Sequence, residues 1–274
     1  MKTTTQFITA LFVMLLLFNA NPVLAQEEAP AEAKYYTVTT MNFNLDNDSD
    51  ADWYDVEKEY LDKVTMKNEF VMGSGFYTHL YTDNSSDVIY VQVYGSWEDM
   101  DKAGARNGEL EKEAWPDADA RAAFLKTQGN FYTQKHSDEI YSVMGGTKNV
   151  SEPATDDWVL YLRTSHLAYP ENAPDGEIGE LRTEMIENVI NKNEFIKGYY
   201  PHRHFWGHDS TEFIEAFFVD SFESLDKMNA RNGELMEEHW SDEEARKEFF
   251  KKYNKYFTGV HGDKVYSVVA GLNK

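Results

Sequence analysis

The sequence contains no cysteine. A chain without cysteine has no disulfides, so it must be stabilised by burying a core. It also lacks the residue that anchors a bacterial lipoprotein. Positive charge is scarce: 26 Lys and Arg stand against 48 Asp and Glu, a net charge of −22. No basic patch offsets that field, which repels nucleic acid and anionic membranes and favours solubility. Long apolar runs are nearly absent as well. The one that exists, Phe7 to Phe18, is shorter than the roughly 20 residues a spanning helix needs. Lys2 precedes it and Val23-Leu24-Ala25 follows, the pattern of a secretory signal peptide cleaved after Ala25. The sequence therefore predicts a signal peptide at 1–25, a flexible leader at 26–33, and a soluble periplasmic or secreted protein. Three Asn-X-Ser sequons, at Asn47, Asn84 and Asn149, matter only in a glycosylating pathway. The short signal and the missing disulfides point instead to a bacterial envelope.

What is present is a repeat. Ala105-Arg106-Asn107-Gly108-Glu109-Leu110 recurs verbatim as Ala230-Arg231-Asn232-Gly233-Glu234-Leu235, an offset of 125. Lys67-Asn68-Glu69-Phe70 recurs at Lys192-Asn193-Glu194-Phe195 in the same register. So do His79 and His204, Trp115 and Trp240, His136 and His261, and Tyr141-Ser142-Val143 and Tyr266-Ser267-Val268. A long period seen only twice means a duplicated domain and not a solenoid. The expected division is a first domain at 34–147, a linker at 148–157 and a second domain at 158–274. The two domains pair with each other.

Both copies give the same coarse pattern. A strand at Tyr35 to Phe43 or Trp158 to Leu167 leads into an amphipathic helix. Its apolar stripe is Trp53, Val56, Tyr60, Leu61 and Val64, or Ile178, Leu181, Met185, Ile186 and Val189. Two strands follow, Phe70 to Tyr81 and Asp87 to Tyr94, with partners at Phe195 to Trp206 and Glu212 to Val219. A two-part helical region and a short last strand, Ile140 to Met144 or Val265 to Val269, close each copy. Asn-Gly inside the repeated hexapeptide predicts a local break in the helix. The order β-α-β-β-α-β is ferredoxin-like, an α+β class. The predicted architecture is two such domains in tandem, their sheets packed face to face as an intramolecular pseudo-dimeric α/β barrel. In topology and repeat logic this resembles the dimeric α/β-barrel superfamily. Its members include antibiotic-biosynthesis-type monooxygenases, chlorite dismutases and haem-degrading enzymes. For the haem-using members the resemblance implies a proximal His; no motif here aligns with that His.

Strand alternation sorts side chains by face. It puts Tyr77, His79 and Tyr81 on the inner face of one copy, and Tyr200, His202, His204 and Trp206 on that of the other. Tyr90, Glu215 and Arg163 are placed there too. Aromatic walls with a few ionisable groups suit a small-molecule pocket, the alternative being an ordinary domain interface. His202 and His204, spaced i, i+2, share a side; with Glu215, and His208 from the turn, they would form a weak metal site. A His beside Glu215 also suits a general base, and Arg163 an oxyanion stabiliser. No cofactor is singled out; haem and a divalent metal are the two classes these His residues could ligate. The reading that follows is an exported protein binding a small organic ligand between its two halves. The alternatives are a cofactor-independent oxygenase or isomerase, a haem-dependent enzyme, and a structural or stress-related module with no pocket.

Overall fold

The computed structural model describes residues 32–274; the expected signal peptide at 1–25 and most of the expected leader at 26–33 lie outside the described residues. Residues Ala33–Lys274 form one compact unit. The elements run β1 (Tyr35–Phe43), α1 (Trp53–Lys63), β2 (Gly73–Tyr81), β3 (Asp87–Tyr94), α2 (Trp97–Ala114), α3 (Ala118–Asn130) and β4 (Tyr132–Val143). The same order then repeats: β5 (Val159–Leu167), α4 (Glu177–Met185), β6 (Gly198–Trp206), β7 (Glu212–Val219), α5 (Glu223–His239), α6 (Glu243–Asn254) and β8 (Phe257–Asn273).

The helices start where side-chain oxygens take up the free N–H groups of the first turn. Asp52 accepts from Asp55 N, Ser96 from Asp99 N, Asp117 from Ala120 N and Asp242 from Ala245 N. Asn-Gly does not break the second helix of either half: α2 and α5 run unbroken through it. The reason is tertiary. Asn68 Nδ2 donates to Ala103 O (2.9 Å) and to Asn107 Oδ1 (2.6 Å). Asn193 does the same to Met228 O (2.9 Å) and Asn232 Oδ1 (2.7 Å). These bonds hold the Asn in helical geometry.

The expectation of two tandem ferredoxin-like domains, their sheets stacked face to face as a pseudo-dimer, is corrected by the strand pairing. All eight strands form one closed antiparallel barrel in the order β1-β3-β2-β8-β5-β7-β6-β4, with six helices among the described residues. The seams are β2 with β8 and β4 with β6. A stacked pair would leave four strand edges with unpaired N–H and C=O groups. Joining them edge to edge satisfies those groups and leaves no edge. The last strands are correspondingly longer than hydrophobicity suggests, with 12 residues in β4 and 17 in β8. No described helix is long and apolar enough to cross a membrane.

Apolar side chains fill both faces of the barrel wall. Inside, Ile89, Leu160, Ala216, Tyr266 and Val268 form one buried cluster. Outside, Phe76 and Val88 pack with Leu61 of α1, and Phe249 of α6 packs with Leu181 of α4 and Trp240.

Candidate functional site

At the end of the barrel where β1 and β5 begin lies an interior cavity of about 320 Å³. Alternation along each strand supplies its wall: Val38 from β1, Val91 from β3, Leu160 and Leu162 from β5, and Ile214, Ala216 and Phe218 from β7. The connector between β4 and β5 crosses this end and contributes Val150, Glu152, Pro153 and Ala154. It is fastened at three points. Lys148 bridges to Tyr199. Val150 N donates to Tyr200 Oη (3.0 Å). Glu152 pairs with Lys197 at 3.6 Å.

Tyr36, Tyr77, Tyr200 and His202 bring phenol and imidazole groups to the wall. The imidazole of His202 lies 5.2 Å from the Tyr36 ring and 5.3 Å from the Tyr141 ring. Tyr36 and Tyr200 are 6.4 Å apart. Burial pushes the Tyr36 and Tyr77 phenols above their ordinary range, so both stay protonated donors. Burial pulls His202 down to about 4, outweighing its backbone hydrogen bond. The imidazole is therefore neutral. Its Nδ1 lies 3.0 Å from the Tyr200 carbonyl. A carbonyl only accepts, so Nδ1 carries the proton and Nε2 is left as an acceptor. Beneath the cavity Tyr141 Oη lies within hydrogen-bond reach of the Glu139 and Glu212 carboxyls, which share its single proton.

Of the side chains that the sequence placed on the inner face, Tyr77, Tyr200 and His202 line this cavity. His79 and His204 share their strand faces but lie farther along, outside the lining; His79 Nδ1 bonds Thr82 Oγ1 at 2.8 Å. Tyr81 and Trp206 stand at the strand ends, 59% and 68% exposed, and Tyr81 stacks on Phe222. Three placements are corrected by register. Glu215 pairs with Pro201 and not with His202, so it faces outward with Tyr199, whose hydroxyl it accepts at 2.7 Å. Tyr90 pairs with Phe76 and stacks on it at 4.3 Å, also outside. Arg163 pairs with Glu215 and Asp263 on the outer face. The first strands are related by 124 residues, not 125: Val38 opposes Val91 as Leu162 opposes Ala216. A one-residue slip turns every side chain of a strand over.

His202, His204 and Glu215 therefore do not converge on a metal. Among the described residues no group of three or more His, Asp or Glu side chains could hold one. Haem fits the cavity poorly too. Its two carboxylates would need cations, and the lysine in the lining, Lys274, already donates Nζ to the carbonyls of Thr65 (3.0 Å) and Asn68 (2.6 Å).

Sequence reasoning missed Tyr36, the Ile89-Val91-Val93 row and the connector. The row was legible as the apolar alternate of Tyr90, Gln92 and Tyr94. The connector carried no signal beyond Pro153.

No family model matches the sequence, and no curated protein matches it significantly. Solved structures do match the fold. A candidate monooxygenase from Fusobacterium nucleatum subsp. nucleatum aligns with TM-score 0.56 at 12% identity, over 86% of this chain and 92% of that one. A candidate monooxygenase from Lactobacillus acidophilus NCFM gives 0.53 at 10% identity, over 88% and 95%. A chlorite dismutase variant from Candidatus Nitrospira defluvii gives 0.50 at 12% identity, over 90% and 96%. At such identities the likeness shows the fold alone. The neighbours are dimeric α/β-barrel proteins, and what this chain shares with them is the barrel architecture.

Proposed function

We propose that the barrel interior binds one small, largely apolar organic molecule bearing a hydroxyl or similar donor. His202 Nε2 accepts from that donor, and the Tyr36 and Tyr77 hydroxyls donate to the same polar group. The observation that carries this reading is the cavity itself. Its volume, about 320 Å³, lies at the lower end of the range for ligand pockets, and an apolar wall with a few convergent polar groups is their usual make-up. An imidazole held neutral and in one tautomer supplies a fixed acceptor.

The test uses 1-naphthol and naphthalene as probes on the full chain, by calorimetry. The wild type should bind naphthol more tightly than naphthalene. Ala216→Phe fills the cavity and should abolish both. His202→Leu should remove the preference for naphthol, a loss of about tenfold, or ~1–1.5 kcal/mol for one hydrogen bond. Binding that survives Ala216→Phe would sink the proposal.

An enzymatic reading, with His202 as general base, is weaker on this geometry. A base works best when its pKa lies near the operating pH. An imidazole lowered to about 4 accepts a hydrogen bond at neutrality far more readily than it takes a proton.

A further inference from the structure

A second cavity, of about 230 Å³, lies on the outer side of the first half, between α1, α3 and strands β1 to β3. Glu57 stands in its wall and is 3% exposed. Both of its oxygens receive hydrogen bonds: Oε1 from Tyr132 Oη (2.7 Å) and Oε2 from Gln128 Nε2 (2.9 Å). Trp53 Nε1 donates to the same Tyr132 oxygen (2.8 Å), which leaves the phenol proton for Glu57. The wiring suits a carboxylate. Yet none of the side chains that line the cavity is cationic. A buried charge without a partner is costly, and burial accordingly pushes this carboxyl up.

The second half shows what is missing. At the 125-residue offset Glu57 becomes Arg182, Tyr90 becomes Glu215 and Ser74 becomes Tyr199. There the chain supplies both charges, and Arg163 and Arg182 both favour ionised Glu215. In the first half an acid, Glu57, stands in the place of Arg182, a phenol stands in the place of Glu215, and no cation lines the cavity. Beside Met41, Leu61, Thr65 and Gln128, the wall carries the rings of Tyr60, Phe76, Tyr90 and Tyr132. Ring faces attract cations, and an aromatic box with an acid is a recognised way to hold alkylated ammonium groups.

We propose that this cavity is a site for a small alkylammonium ion, with its charge against Glu57 and its methyl groups among the four rings. The site is independent of the barrel interior and does not rest on the function proposed for it.

The full chain is titrated with tetramethylammonium chloride by calorimetry, against sodium chloride at equal ionic strength. Neopentyl alcohol, similar in shape and uncharged, is the control. The wild type should bind tetramethylammonium saturably and neopentyl alcohol at least tenfold more weakly. Glu57→Gln keeps the shape and removes the charge, and should weaken tetramethylammonium binding at least tenfold. It should leave 1-naphthol binding in the barrel unchanged, so this site and that one fail separately. Tyr60→Leu removes one ring without touching the Glu57 hydrogen bonds and should weaken binding several-fold; it decides the matter if Glu57→Gln does not fold. No saturable binding to the wild type, equal affinity for the uncharged probe, or unchanged affinity in the variants would each overturn the proposal.

Discussion

His202 couples the barrel interior to pH. Burial pulls its imidazole down to about 4 in the folded state, from the 6.5 of a free imidazole. Between those values the unfolded chain binds a proton that the folded chain refuses. Stability therefore rises with pH through this window and is fully present above it. At 6% exposure there is little solvent screening, and the effect between pH 7 and pH 4.5 is about 2 kcal/mol. Urea denaturation of the wild type and of His202→Gln at both pH values checks it. The wild type should lose about 2 kcal/mol more than the variant on acidification. Parallel losses would mean the imidazole is not buried as described. That a His lies on this face was legible in alternation alone. That it is neutral was not, because its desolvation comes from rings on β1 and β4, far away in sequence.

Each half is keyed together by one buried asparagine. Asn193 is fully buried, donates to Met228 O and Asn232 Oδ1 and accepts from Phe195 N (3.0 Å). It thus joins the turn before β6 to α5. Asn193→Ala leaves those groups unpaired away from water, and should cost about 1–3 kcal/mol, read as a lower midpoint in urea. The neighbouring arginines explain the rest of the repeated hexapeptide. Arg231 contacts Glu194, Glu234 and Glu238, and Arg106 contacts Glu69, Glu109 and Glu113. Those pairs are partly exposed and each contributes little. Helix stripes were readable because neighbouring positions of a stripe lie within four residues of one another. The faces of β3 and β7 were not, because alternation says which residues go together but not which set faces inward. That choice belongs to register, and register put Tyr90, Glu215 and Arg163 outside.

For the whole molecule, the repeat announced two equivalent runs of elements but not how they meet. Closure depends on the edges of β2, β8, β4 and β6, and an edge strand has no composition that names its partner. The seams carry a prediction. Residues 34–147 expressed alone would expose β2 and β4 at once, so the fragment should dimerise or aggregate. Light scattering after size-exclusion chromatography decides it, and a well-behaved monomer would contradict the closed barrel. The connector carries a consequence of another kind. It is the covalent thread between the halves and also part of the roof over the interior cavity, and Ser151, Glu152 and Pro153 are exposed. A protease that nicks it there cuts no rung of the barrel, yet unlatches the cover. Scission at that one stretch would change how fast a guest enters and leaves while the wall around it stays standing.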